Sequence, residues 1–341
     1  MRNKLIASIV LVSTLLAGSS AQAVEGPSLS AQGSSFAGNI ITTCSTFYSK
    51  ATITYTSSGS GVGRNAFLTG LNDFVASDVP YGPTDPKPNN FTYVPIVGGA
   101  VALIYNIPSG YKISQLNLTP SVAAKIFDGT ITMWNDPAIK ALNPKATLPN
   151  KSIRVHYRAG SSGTTANLAN YFVANKQKNW VAASGFAEAR GSNITGNFTS
   201  MPNSATLVGA VDDTAFSFGY VDLSDAIMAR VSYAALKNPA GQFIKPSVSS
   251  SRLFLSEQTV KTDGTINIDY MKKVKGGYNL SLVTYALAYT SGKDAKNQAA
   301  VSGFLNFLVS SCSMAQGPKL GYVALTGAVR DKALALIKKI K

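Results

Sequence analysis

Histidine is all but missing from this chain: there is one, His156, in 341 residues. Cysteine is nearly as scarce, with Cys44 and Cys312 alone. A His-based metal centre, a zinc ribbon or a multi-disulfide scaffold cannot be built from those three side chains. Charge is thin as well, at 14% of residues against the usual figure of about a quarter, and acidic residues number 16 against 31 basic ones. What is abundant is apolar: 45% of the chain is hydrophobic, too much for a disordered polymer. At roughly 150 residues per domain, the length suggests about two domains, each able to bury a core.

The first 23 residues read as a secretory signal peptide rather than as part of the fold. Arg2 and Lys4 supply a positive start, an apolar run follows from Leu5 to Gly18, and Ala21-Gln22-Ala23 offers a small-residue cleavage site. No cysteine stands near that site, so no lipid anchor is expected, and no later segment is long and apolar enough to span a bilayer. The expected product is soluble and exported, periplasmic or secreted. Its basic residues are scattered, with short clusters only at Lys272-Lys273 and Lys338-Lys339. A solvated basic surface explains them better than nucleic acid does.

Strand-like and helix-like stretches alternate. Residues 51–55, 73–76, 94–107 and 153–157 are β-rich, the third interrupted by Gly98-Gly99. Helical spacing of apolar residues appears at Phe36, Ile40 and Cys44, over 64–71, at Leu168, Tyr171 and Phe172, at Val301 through Cys312, and at Val329 through Ile340. This alternation indicates the α/β class. Residues 182–202, rich in Gly, Asn, Ser and Thr, read as irregular surface. The two cysteines fall on apolar helix faces, either as separate buried thiols or as one Cys44–Cys312 bridge. The oxidising compartment expected for an exported chain favours the bridge.

Three segments share a design. Gly33-Ser34-Ser35-Phe36, Gly59-Ser60-Gly61-Val62-Gly63 and Gly160-Ser161-Ser162-Gly163-Thr164-Thr165 each put glycine and small hydroxyls at the start of a helix, and Arg158 stands just before the third. Free N–H groups at a helix N-terminus, approached closely through glycine, suit an oxyanion. Ordinary helix capping is the better reading of any one of them alone; three together point to an anion site. Asp78 is different. A carboxylate among anion donors repels the ligand unless that ligand still carries a proton, as hydrogen phosphate does and sulfate does not. A turn-capping Asp before Val79-Pro80 is the competing reading.

These segments, with Phe74 to Pro80, Met133-Trp134-Asn135-Asp136-Pro137-Ala138-Ile139, Leu142-Asn143-Pro144 and Phe218-Gly219-Tyr220-Val221, resemble the phosphate-binding proteins of bacterial phosphate ABC transporters, the PstS-like periplasmic binding proteins. The likeness is close over about 33–172 and around Tyr220, and thin over 182–202 and 237–289. It implies a two-lobed α/β periplasmic-binding-protein fold of type II, with two crossover strands as a hinge and a ligand cleft between the lobes. Residues 24–104 and 233–341 would form the first lobe and 105–232 the second, with crossovers near 103–106 and between 220 and 233. The implied activity is capture of inorganic phosphate and delivery to a membrane ABC permease by a monomer, without cofactor, metal, nucleic acid or catalysis. Carried over residue by residue, Ser35 and Phe36 would offer backbone N–H groups, and Ser60 a hydroxyl and an N–H. Asp78 would accept the phosphate proton, Arg158 would supply positive charge, and Ser162, Gly163 and Thr164 would cradle the anion from the second lobe. Two departures stand out. The family's Asp two residues after the Arg is Gly160 here, leaving the guanidinium less firmly held or paired elsewhere. Gly61-Val62-Gly63 also stands where many relatives carry Ser and Gly.

Other readings of the same residues are a phosphatase, a binder of sulfate or another oxyanion, and a surface-adhesion protein. No G-x-S-x-G elbow is present, and a lone His156 beside Tyr157-Arg158 reads as a strand residue near the site.

Overall fold

The computed structural model describes residues 26–341 except 192, 193 and 195; the expected signal peptide, residues 1–23, lies outside the described residues. Ser28–Gly33, a strand the sequence did not reveal, runs parallel to both Thr52–Thr56 and Phe74–Ser77. Ser281–Tyr289 lies antiparallel between Phe74–Ser77 and the long strand Phe91–Asn106. The long strand then pairs antiparallel with Ser217–Asp222, and Arg154–Arg158 and Phe198–Met201 follow in parallel. With Tyr322–Val323 and Ser232–Tyr233 added along the long strand, ten described strands make one continuous sheet.

That long strand carries the architecture. Up to Ala100 its neighbours are Ser281–Tyr289 and Tyr322–Val323; from Val101 they are Ser217–Asp222 and Ser232–Tyr233. One strand thus passes between two halves of the sheet, the connection expected of a two-lobed α/β fold. Gly98 and Gly99 do not interrupt it. A Cβ at Gly98 would stand 2.6 Å from Leu255 Cδ1, and one at Gly99 2.9 Å from Phe36 Cζ. The glycines admit neighbouring side chains onto an unbroken strand. After Ser232–Tyr233 the chain pairs Ala235–Lys237 in parallel with Asn117–Leu118 before returning towards Val248–Leu255.

Helices cover the sheet. Gly38–Thr46 turns Ile40, Ile41 and Cys44 inward, and Ala295–Phe307 runs on into a π-helical turn, Leu308–Cys312. Cys44 and Cys312 are joined, their Cα atoms 5.8 Å apart, so the bridge spans 268 residues and ties the two ends of the chain together. Within the stretch expected to be irregular surface, the described residues include the helix Phe186–Ala189 and the strand Phe198–Met201. That strand sits at the sheet edge with its residues largely outside the core, so no apolar alternation announced it.

Candidate functional site

The three Gly/Ser segments, remote in sequence, converge where the two halves of the sheet meet. Ser34 to Phe36 follow Ser28–Gly33, and Ser34 N–H donates to Ala76 O at 2.8 Å. Gly33 is held at φ +127, where a Cβ would stand 2.1 Å from Ala76 O. Only glycine lets the turn press so closely on the neighbouring strand. Gly59 N–H donates to Gly33 O at 2.7 Å, which brings the start of the helix Ser60–Leu68 beside that turn. The helix Gly163–Ala174 approaches from the other half. A Cβ at Gly163 would lie 2.3 Å from Ser60 Oγ and 2.6 Å from Asp78 Oδ2. Gly61 N–H also donates to Ser161 O at 3.2 Å, so the two halves are in contact here.

Asp78, 4% exposed, follows the strand Phe74–Ser77. Its Oδ1 accepts from the hydroxyls of Ser34 and of Thr284, the latter at 2.7 Å, and its Oδ2 accepts from Ser60 Oγ at 3.2 Å. Burial pushes its pKa above the ordinary aspartate range, while those three hydroxyls and the charge of Arg158 pull the other way. A carboxylate offers about four acceptor positions. Three are filled, and the one left is on Oδ2.

Arg158 ends the strand Arg154–Arg158 and is 2% exposed. Its Nη1 donates to Ser35 Oγ at 2.7 Å and to Ser204 Oγ at 3.3 Å, and its Nη2 to Pro202 O at 3.2 Å. Its backbone N–H donates to Tyr220 Oη at 3.1 Å. The guanidinium is therefore oriented without the carboxylate that Gly160 replaces. Burial lowers its pKa, yet a guanidinium stays charged at any ordinary pH. Arg158 Nε and Thr164 Oγ1 are buried with no hydrogen-bond partner among the described residues. Such orphans are costly unless something binds them.

The remaining expected residues divide between those whose donors are left unengaged and those whose groups are committed within the protein. Gly163 and Thr164 open their helix, so their N–H groups have no acceptor within it. Ala37 N–H donates to Ser34 Oγ and Gly38 N–H to Ser35 O, leaving the N–H groups of Ser35 and Phe36 without a protein acceptor among the described residues. The Phe36 ring belongs to the core, edge-on to Tyr322 with centroids 5.9 Å apart. Ser60 has its hydroxyl on Asp78, and Ser162 Oγ accepts from Thr165 N–H, an N-cap. His156 is buried and burial lowers its pKa, which favours a neutral imidazole.

Sequence reasoning missed Thr284 and Ser204. Thr284 lies inside Ser281–Tyr289, buried throughout, where nothing distinguishes a functional hydroxyl from a packed one. Ser204 opens the helix Ser204–Asp213 after the Asn203 cap, a capping pattern that was the available signal.

Comparison with known proteins places this geometry. Residues 18–311 match the PBP superfamily domain. The phosphate-binding protein PstS 3 of Mycobacterium leprae is 30% identical over 325 residues, covering 90% of this chain and 85% of that protein. PstS of Haemophilus influenzae is 33% identical over 232 residues, 66% of this chain and 67% of that protein. Among solved structures, a phosphate binding protein from Stenotrophomonas maltophilia superposes with a TM-score of 0.70 at 21% identity, covering 90% of this chain and 93% of that one. An ABC-type phosphate transport receptor from Vibrio cholerae gives 0.55 at 15% identity, over 86% and 99% of the two chains. The structural likenesses establish the fold, and the sequence relatives, with the domain match, establish that this chain belongs to the PBP superfamily and, within it, to the PstS phosphate-binding proteins.

Proposed function

We propose that this chain is an exported binding protein that captures inorganic phosphate between its lobes and delivers it to an ABC permease. The relatives carry names for phosphate binding, not for catalysis, and among the described residues no helix is long and apolar enough to cross a membrane. On this reading residues 24–104 and 233–341 form one lobe and 105–232 the other, with closure of the cleft stripping water from the anion.

The observation that carries the proposal is the state of Asp78. Three protein hydroxyls already donate to it, and its spare acceptor position, on Oδ2, is on the oxygen nearest Gly163, beside Thr164. An acceptor next to N–H groups and a guanidinium suits an oxyanion that brings its own proton. Hydrogen phosphate brings one; sulfate does not. In this assignment the N–H groups of Ser35, Phe36, Ser60, Gly163 and Thr164 hold the oxygens, with Thr164 Oγ1 and Arg158 Nε as further donors. Ser162 acts by holding the helix end in place.

Calorimetric titration of the purified protein with phosphate and with sulfate, at neutral and at acidic pH, tests this. Phosphate should bind tightly and sulfate weakly at neutral pH. Equal affinity for the two anions there would remove the role given to Asp78, and heat from neither would remove the proposal.

A further inference from the structure

One buried amide joins the two halves of the molecule beside the site. Asn167, 4% exposed, stands one turn beyond Gly163 on the helix Gly163–Ala174. Its Nδ2 donates to Gly163 O and to Asp78 O, both at 2.9 Å, and its Oδ1 accepts from Tyr270 Oη at 2.8 Å. The bond to Gly163 is internal to the helix and fixes the plane of the amide. The other two reach outside it, one to the N-terminal part of the chain and one to the C-terminal part. Tyr171, four residues further along the same helix face, meets the Tyr270 ring edge-on with centroids 5.7 Å apart. Sequence reasoning gave neither Asn167 nor Tyr270 a role.

We propose that Asn167, backed by Tyr270, is a closure latch: a positioning residue that fastens the helix carrying Gly163 and Thr164 to the main chain of Asp78, so that lobe closure and alignment of Asp78 are one event. The inference rests on reading the cleft as a phosphate site and adds a device to it. The latch grips the carbonyl of Asp78, not its carboxylate, so it does not compete for the acceptor position that a ligand proton would use. In an open molecule, Asp78 O and Tyr270 Oη would face water. A bond made only in the closed state raises the population of that state, and losing it lowers apparent affinity by the same factor.

The test is phosphate affinity and dissociation rate for Asn167→Leu and Tyr270→Phe, together with small-angle scattering of each protein without and with phosphate. Asn167→Leu should bind phosphate about tenfold more weakly, as expected for losing a buried hydrogen-bonding group. Most of that loss should appear as faster release with little change in association. Tyr270→Phe keeps the ring packing on Tyr171 and should shift both quantities the same way by less. The double variant should be no worse than Asn167→Leu alone, since the two groups act through one bond network. A change confined to melting temperature would mark Asn167 as merely structural and overturn the proposal, as would release rates and radii of gyration matching the parent's in both variants. A parent protein that ignores phosphate, while Asn167→Leu still expands the ligand-free molecule, would overturn the phosphate reading and leave the latch standing.

Discussion

At the scale of single residues, the site is a matter of which hydroxyls are already engaged. Ser34, Ser60 and Thr284 all point their protons at Asp78, and Ser162 holds its helix end. The motif residues were legible because glycine and serine before a helix leave a local signature. Their division of labour was not, because it depends on which side chain lies opposite after folding. Asp78→Asn should weaken phosphate binding by roughly tenfold to a hundredfold, the range for one charge-assisted hydrogen bond, and should narrow the preference over sulfate; paired titrations measure both. The pH dependence follows from the direction of the Asp78 shift. Its pKa is raised by burial, so acidification protonates it while ordinary surface carboxylates are still ionised. Once protonated it can donate, so sulfate affinity should rise as pH falls through that raised value and stay weak above it. In the ligand-free protein the same raised pKa favours the fold below the ordinary aspartate range, and that contribution is lost as pH rises through the folded-state value. Arg158→Ala should cost about 3–5 kcal/mol of binding, on the scale of removing one partner of a buried charge pair, read as a loss of roughly two to three and a half orders of magnitude in phosphate affinity.

At the scale of elements, helix N-termini and strand ends act as a unit because glycine allows them to touch. Gly163→Ala tests this without disturbing the helix, since alanine is a better helix former and no left-handed backbone is involved. The added methyl would meet Ser60 Oγ and Asp78 Oδ2 at 2.3 and 2.6 Å. The variant should keep its melting temperature and lose at least tenfold in phosphate affinity, with a radius of gyration that fails to shrink on adding phosphate. Elements with a surface and a buried face were readable from the sequence, as Gly38–Thr46 shows with Ile40, Ile41 and Cys44 inward. Ser281–Tyr289 was not, because a strand buried on every residue has no alternation to read. The long strand was misread at Gly98-Gly99 for a related reason: glycine signals a turn in isolation, and here the neighbours Leu255 and Phe36 require it.

At the scale of the whole molecule, the chain leaves one half of the sheet, builds the other and returns, so the ends must be held together. The Cys44–Cys312 bridge does this across 268 residues. Removing it with Cys44→Ser and Cys312→Ser together should lower stability by about 2–5 kcal/mol, read as a fall in denaturation midpoint. Phosphate affinity at room temperature should change little, because neither cysteine touches the site. The two-lobed plan was legible through family resemblance, and the long strand now gives it a physical basis in the change of partners at Ala100 and Val101. Capture of phosphate at this site is tested most sharply by a high-resolution crystal structure of the phosphate complex. It should show a tetrahedral anion between the start of the helix Gly163–Ala174 and the Ser34–Phe36 turn, with one oxygen about 2.5–2.7 Å from Asp78 Oδ2. Phosphate bound elsewhere, or seated there with Asp78 turned away from it, would overturn the role given to these residues.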